Sequence, residues 1–390
     1  MKTTILGASS QSTPALFESL ARSPRSSGIR FSLVARSIER LQPIVRAIQY
    51  VGNQDYSIQC HDFSPRSLES AVTGADVVLI QIRYGGLAGR DFDETFPRRF
   101  GVCGDEGLGP GGLSAAWRSW PALGELLGLI DRLNRNTMVL LLTSPVSLLV
   151  RLAANAWPAL QMVGICELPW VTLRDATAVE PETPAYDYIG INHLGWIYSL
   201  GNSDVPVPLK YIRLHYEREK VVQEQRNRLV SRAVELQRLA EAAMRAYARG
   251  GREEIASAIA SRPAPWYSDS VAPLLLSLTD RASCIHFFLS VRNGHWCPEF
   301  RPEDILEIPF LWSEGEFMRK NPRRLPPEEI VTTLRSFIEY ERLAASAVLS
   351  RDGRLIERAL REHPWIESDA QAKALAETIV AQRVPPRVSA

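Results

Sequence analysis

The chain opens with the short run Thr3-Thr4-Ile5-Leu6-Gly7, which is followed by the small residues Ala8-Ser9-Ser10-Gln11-Ser12-Thr13-Pro14. The run predicts a buried strand, and an amphipathic pattern over 14–22 predicts a helix after it. A loop at a helix N-terminus offers backbone N–H groups to a pyrophosphate, so Gly7, Ser9, Ser10 and Thr13 are candidate cofactor-binding residues. Only the first glycine of a GxGxxG fingerprint is present, and a plain strand-to-helix turn is the alternative.

The same alternation of strand and helix continues along the first 165 residues. The patterns predict strands over 30–34, 57–60, 75–81, 138–142 and 162–165, and helices over 38–50, 67–72 and 122–133. Such βαβ units predict a Rossmann-type, doubly wound parallel sheet, with a ligand at the carboxyl ends of its strands.

The pattern changes after residue 165. A strand-like segment covers 188–200, a long charged helical stretch covers 207–249, and further helices are predicted over 267–280, 326–350 and 354–362. We therefore expect a dinucleotide-binding domain over 1–165, a mixed α+β, helix-rich catalytic domain over 166–383, and a flexible tail over 384–390.

Composition restricts the classes of function. A chain of 390 residues with a net charge of +1 has no electrostatic bias towards nucleic acid or an anionic membrane. The five cysteines lack CxxC spacing, and no leader is expected because the first strand begins at once, so we expect a cytoplasmic protein. We also expect a homo-oligomer, a dimer or tetramer, although the apolar spacing within 207–249 is more typical of a core.

The end of the second predicted strand reads Val34-Ala35-Arg36-Ser37. Dinucleotide-binding folds commonly place an acidic residue here, where it binds the ribose of NAD. The acid is missing, and Arg36 with Ser37 has the chemistry to hold the 2′-phosphate of NADP instead. The alternative is that Arg36 is simply exposed.

Two glycine-rich polar stretches, 81–94 and 101–112, follow the fourth predicted strand. We interpret them as a long functional loop that takes a polar small molecule, either neutral or anionic. Arg83, Arg90 and Glu106 are its candidate substrate-binding residues. The alternative is a surface loop whose arginines pair with Asp93 and Glu94.

These segments and several others, in order along the chain, resemble glycoside hydrolase family 4, the NAD- and metal-dependent glycosidases. The 6-phospho-β-glucosidase branch is the nearest. The other matching segments are 7–16, Thr143-Ser144-Pro145, Gly164-Ile165-Cys166, Gly190-Ile191-Asn192-His193-Leu194-Gly195-Trp196, 262–268, Asn293-Gly294 and 304–309.

The resemblance implies roles for residues that spacing alone does not single out. A Cys and a His that are 27 residues apart would ordinarily be structural. By resemblance, Cys166 and His193 hold Mn²⁺ or another divalent metal, and Tyr267 is the catalytic base. Glu167 is a general acid or supports the metal ligand, while Ser144 lies near the cofactor and Asn192 contacts the sugar.

The family's chemistry differs from that of two-carboxylate glycosidases. The resemblance implies that NAD, or NADP, takes a hydride from C3 of a glucoside or 6-phosphoglucoside. The metal acidifies the C2 proton, a base removes it, the aglycone leaves by elimination, water adds, and the hydride returns.

Several motif positions depart from the family pattern. Asp105 replaces a Gln, Gly107 a Thr, Ser144 an Asn, and Pro263-Ala264 a double glycine. Two other functions therefore stay open: an NAD(P)-dependent dehydrogenase that acts on a polyhydroxylated small molecule, and a non-catalytic sugar or nucleotide sensor. A glycosidase releases aglycone without net cofactor reduction, whereas a dehydrogenase accumulates reduced cofactor and a sensor does neither.

Overall fold

The computed structural model describes residues 1–52, 56–177, 185–201, 207–208, 224, 231–280 and 282–382. Within these ranges the strands form a single mixed sheet. In chain order they are β1 Lys2–Leu6, β2 Arg30–Val34, β3 Ser57–His61, β4 Val77–Ile80, β5 Met138–Leu141, β6 Met162–Ile165, β7 Tyr186–Ile191, β8 Leu194–Leu200, β9 Val207–Pro208, β10 Ile285–Arg292, β11 Ile305–Ser313 and β12 Glu316–Arg319.

Helices cover both faces and one end of this sheet. They are α1 Thr13–Leu20, α2 Gln42–Val51, α3 Pro65–Val72, α4 Gly86–Thr95, α5 Gly109–Asn134, α6 Val146–Ala156, α7 Leu168–Thr177, α8 Arg232–Arg249, α9 Arg252–Ala260, α10 Ala272–Thr279, α11 Glu328–Ser350, α12 Gly353–Arg361 and α13 Asp369–Val380. None of the helices in the described ranges is both long enough and apolar enough to cross a membrane.

The first six strands run parallel in the order β3-β2-β1-β4-β5-β6. This order is that of dinucleotide-binding domains, and it confirms the predicted Rossmann-type sheet. All four residues of β4 are buried, which suits a central strand that is covered by helices on both faces.

The sheet continues into the second half of the chain without a break. Strand β6 pairs antiparallel with β10, which leads through β11 and β7 to β8 and β9, while β12 pairs with β11. The predicted domain boundary therefore falls at the end of β6, inside one sheet, and the division into two domains stays a prediction. The mixed, helix-rich character of this half is confirmed.

The prediction of one long loop after β4 is wrong. A helix, α4, occupies Gly86–Thr95, a 3₁₀ turn follows over Phe96–Phe100, and α5 begins at Gly109. The carboxylate of Asp93 is buried and bound by Arg118 and Ser114 of α5, with an Arg118 Nη1 distance of 2.9 Å. These contacts between helices stabilise a segment whose glycine content favours a loop.

Other differences concern helix lengths. The long helix α5 starts well before the predicted residue 122 and contains Pro121, because the burial of most of its residues compensates for the hydrogen bond that proline removes. Within the predicted helix 207–249, residues 207–208 form a strand and 232–249 form α8, while most of the intervening residues lie outside the described ranges. The predicted tail, 384–390, also lies outside them.

Candidate active site

A cleft of about 410 Å³ opens at the carboxyl ends of the parallel strands. It brings together nearly all of the candidate residues, which come from both halves of the chain. The predicted residues that line it are Gly7, Ser9, Ser10, Arg36, Arg83, Arg90, Glu106, Ser144, Cys166, Glu167, Asn192, His193 and Tyr267. Thr13 and Ser37 are the exceptions: Thr13 is fully buried, and Ser37 is not among the residues that line the cleft.

The loop after β1 has the geometry that a dinucleotide needs. Gly7 has φ +88°, and a Cβ there would lie 3.0 Å from the backbone nitrogen of Ile82, so only glycine fits. The amide nitrogens of Gly7 and Ala8 donate to the carbonyl oxygen of Val34 at 3.0 and 2.9 Å, which fixes the loop against β2. The small side chains and helix α1 leave room for a pyrophosphate at the helix N-terminus.

Local folding places Cys166 and His193 on the same cleft. Cys166 directly follows the last residue of β6, so it lies at the carboxyl edge of the sheet. Asn192 and His193 form the two-residue turn of the β7–β8 hairpin, in which Ile191 pairs with Leu194. His193 has φ +71°, a left-handed conformation that His adopts more readily than most residues.

The Cys166 thiol is buried among acidic groups. Its Sγ lies 3.7 Å from Oε2 of Glu167, and burial, then the charges of Glu167 and Glu307, raises the pKa of the thiol well above its usual value. Glu307 also holds Tyr188 at 2.6 Å and Asn192 at 3.4 Å. A cation would offset this local excess of carboxylates.

The donor set fits a divalent metal for which the protein supplies only some of the ligands. No group of three or more His, Cys, Asp and Glu side chains in the described ranges is arranged as a metal site. Cys166 and His193 supply one soft and one borderline donor, which leaves positions for substrate oxygens or water. The buried Oδ1 of Asn192 has no hydrogen-bond partner within the described ranges, so it is free to accept from a bound hydroxyl group or water.

Gly107 leaves space for the His193 ring. A Cβ at residue 107 would lie 2.6 Å from Nδ1 of His193, closer than side-chain carbons approach their neighbours. Gly107 is also held by a 2.7 Å hydrogen bond from its backbone nitrogen to Oδ1 of Asp105. Two of the departures from the family pattern, Asp105 and Gly107, therefore act together to make room for this ring.

Tyr267 lies at a π-helical turn, Tyr267–Val271, that precedes α10. Such turns are often found at functional sites. Its hydroxyl donates to Oε1 of Gln81 at 2.6 Å, and burial raises the pKa of Tyr267 to about 12. The positive charge of Arg262 favours the phenolate, so it acts against burial and lowers the pKa of Tyr267.

Four guanidinium groups line the cleft beside Glu106, and they belong to Arg83, Arg90, Arg232 and Arg262. Nη1 of Arg90 lies 2.8 Å from Oε1 of Glu106, and Arg83 pairs with the same carboxylate. Burial by itself raises the pKa of Glu106, but Arg83 and Arg90 outweigh burial and lower it to about 2. Burial and then the charges of Arg90, Arg83 and Arg232 lower the pKa of Arg262 to about 10.

Four residues of this site were not among the candidates from the sequence: Gln81, Arg232, Arg262 and Glu307. Gln81, Arg262 and Glu307 all lie within segments that resemble glycoside hydrolase family 4. Their position in these motifs is the sequence feature that could have identified them. Arg232 begins helix α8 and offered no comparable signal.

Comparison with known proteins agrees with this geometry. The sequence model described as "Family 4 glycosyl hydrolase" matches residues 2–179. The 6-phospho-beta-glucosidase BglT of Thermotoga maritima is 26% identical over 349 residues, which cover 80% of this chain and 82% of that protein. The first part of this chain, residues 2–179, therefore matches glycosyl hydrolase family 4. The recognition of that family from sequence motifs is thereby confirmed.

The likeness to solved structures extends over nearly the whole chain. The 6-phospho-beta glucosidase from Thermotoga maritima, solved with manganese, NAD+ and glucose-6-phosphate, superimposes with a TM-score of 0.86 at 22% identity over 97% of each chain. Malate dehydrogenase from Naegleria fowleri gives a TM-score of 0.52 at 10% identity, over 89% of this chain and 98% of the other. At these identities both likenesses concern the fold alone.

Proposed function

We propose that this protein hydrolyses a 6-phosphoglucoside through reversible oxidation by a bound dinucleotide. One observation carries the proposal: the loop at Gly7, the Cys166–His193 pair and Tyr267 all face a single cleft. A simple dehydrogenase needs the dinucleotide loop and a group that takes the hydroxyl proton, but it does not need a base for the C2 proton. The family match over residues 2–179 and the ligands named for the solved Thermotoga relative support the same reaction.

The arginine cluster supports a phosphorylated sugar. Arg83 and Arg90 share the carboxylate of Glu106, and Nε of Arg90 also pairs with Oε1 of Glu94 at 2.7 Å. Arg262 lies near the guanidinium groups of Arg83, Arg90 and Arg232. Positive charge that is only partly compensated in a cleft attracts an anion, and guanidinium groups bind phosphate through paired hydrogen bonds. A neutral glucoside would leave this charge uncompensated.

The side chains then take distinct roles. When bound, the dinucleotide supplies reversible hydride transfer at C3, and a divalent cation held by Cys166 and His193 polarises the neighbouring sugar oxygens. Tyr267 is the base for the C2 proton, and Gln81 fixes the direction of its hydroxyl group. Glu167, beside Cys166, donates a proton to the leaving oxygen or supports the metal ligand.

The other expectations from the sequence remain proposals. None of the five cysteines, which all lie in the described ranges, forms a disulfide, and this supports a reducing cytoplasmic location. A homo-oligomer stays a proposal, and the absence of a nucleic-acid partner is proposed on the near-neutral charge.

The test is release of nitrophenol from α- and β-nitrophenyl glucosides and their 6-phosphates. Assays contain Mn²⁺, reductant and NAD or NADP, while absorbance of the reduced cofactor is followed. We expect release from a 6-phosphate substrate that requires cofactor and metal, without accumulation of reduced cofactor. Accumulation without release would establish a dehydrogenase, and binding with neither reaction would establish a sensor.

A further inference from the structure

The end of β2 lies against the loop that is proposed to hold the pyrophosphate. Both Gly7 and Ala8 donate their amide hydrogens to the carbonyl oxygen of Val34, the last residue of β2. Ala35 and Arg36 follow at once, and both line the cleft beside Ser9 and Ser10. A dinucleotide on this loop would therefore bring its adenosine ribose to Ala35 and Arg36.

The charge at this end of the cleft is positive. Ala35 is 1% exposed and carries a methyl group where an acid would bind both ribose hydroxyl groups, and Arg36 is exposed to the cleft. The carboxylates among the described residues that line the cleft are Glu106 and Glu167. Glu106 pairs with Arg83 and Arg90, and Glu167 follows β6, so neither belongs to the β2 end.

The hydroxyl group of Ser37 adds a hydrogen-bond donor next to Arg36. Ser37 begins the 3₁₀ turn Ile38–Arg40, and its side chain makes no capping hydrogen bond there. A phosphate group at Arg36 would find a guanidinium fork together with the hydroxyl of this neighbour. An unphosphorylated ribose would find the methyl group of Ala35 in place of the usual carboxylate.

We propose that this protein prefers NADP to NAD, and that Arg36 selects it by binding the 2′-phosphate. This preference rests on the proposed dinucleotide site but does not depend on which sugar is hydrolysed. It sets the chain apart from the Thermotoga relative that was solved with NAD+.

The test measures the Kd values of NADPH and NADH for the full chain, without metal or sugar, by isothermal titration and by energy transfer from tryptophan. A charged hydrogen-bond pair predicts that NADPH binds roughly 10- to 100-fold more tightly than NADH. Arg36→Ala should remove most of that ratio by weakening NADPH, and should leave the Kd of NADH within about threefold. Arg40→Ala, an exposed arginine four residues further on that does not line the cleft, is the matched control and should change neither Kd.

Each outcome separates this preference from the proposed function. Equal or tighter binding of NADH, or an equal loss of both coenzymes in Arg36→Ala, overturns the preference and leaves the glycosidase proposal intact. If neither coenzyme binds the folded wild-type protein, the dinucleotide site itself is wrong, and both proposals fail.

Discussion

The hydroxyl group of Tyr267 donates a hydrogen bond to Oε1 of Gln81 across a distance of 2.6 Å. The amide group of Gln81 donates in turn to Oγ1 of Thr13 at 2.9 Å and to the carbonyl oxygen of Gly7 at 3.2 Å. Because both amide hydrogens point at the dinucleotide loop, the amide oxygen can only face the phenol. The proposed base and the proposed coenzyme loop are thus held by one side chain.

Replacing Tyr267 with phenylalanine should abolish most of the hydrolysis. Loss of a general base typically lowers kcat by a factor of about 10² to 10⁴, and the coenzyme loop remains intact. We expect nitrophenol release to fall by this factor, while the Kd of the coenzyme changes little. Tyr340→Phe removes another buried hydroxyl, which bonds to Gly109, and should keep its activity. Activity of Tyr267→Phe within threefold of the wild type would rule out this residue as the base.

Arg262 should contribute to the affinity for the phosphate group. Removing one charged hydrogen-bond donor predicts a rise in KM of roughly 10- to 100-fold for the 6-phosphate substrate with Arg262→Ala. The KM of an unphosphorylated glucoside, if it is hydrolysed, should stay nearly constant. Arg252→Ala, an exposed arginine at the start of α9, is the control. Equal rises for both substrates would mean that Arg262 supports the cleft rather than the phosphate.

Cys166 should be needed for metal affinity. With only two protein donors in the proposed site, Cys166→Ser should weaken Mn²⁺ binding by at least about tenfold, and His193→Ala should do the same. The readout is titration calorimetry or the electron paramagnetic resonance signal of free Mn²⁺. Cys284→Ser changes an exposed thiol and should leave binding unchanged. Undiminished Mn²⁺ binding in both site variants would place the metal elsewhere.

Glu106 should give the protein an acid-sensitive share of its stability. Its pKa is lowered to about 2 in the folded protein, so its ion pairs contribute fully above the ordinary value of 4.5 and are lost as the pH falls towards 2. We expect Glu106→Gln to lower the free energy of unfolding by about 3 kcal/mol at pH 7, a difference that shrinks between pH 4.5 and 2. Urea unfolding at several pH values measures it. A difference that is constant with pH would show that Glu106 acts by packing alone.

Local sequence patterns were sufficient for the parallel half of the sheet. Strand β2 was predicted at its observed bounds, Arg30–Val34, because a short run between turn signals has few alternatives. Cys166 and His193 were assigned to one metal site because the motifs that contain them resemble the family's in the same order. No periodicity in the sequence relates the end of β6 to a hairpin turn. Their placement on one cleft follows from the antiparallel strands that extend the sheet.

The parts that could not be predicted depend on distant contacts. Helix α4 is stabilised by Asp93 and Arg118, and no window around either residue reveals the partner 25 positions away. Arg232 and Arg262 reach the cleft only because α8 and the turn at Tyr267 pack against the first half. Long-range ion pairs of this kind override the loop propensity of glycine-rich segments.

The pairing of β6 with β10, in which Ile165 faces Leu289, has a consequence for how this enzyme can change over evolution. The two halves share backbone hydrogen bonds across the site. Neither half can therefore be exchanged for its counterpart from a relative unless the new half also pairs correctly along β6 and β10. New specificities are therefore expected to arise by point substitutions along the cleft edge, as at Arg36 and Gly107, and not by recombination of modules.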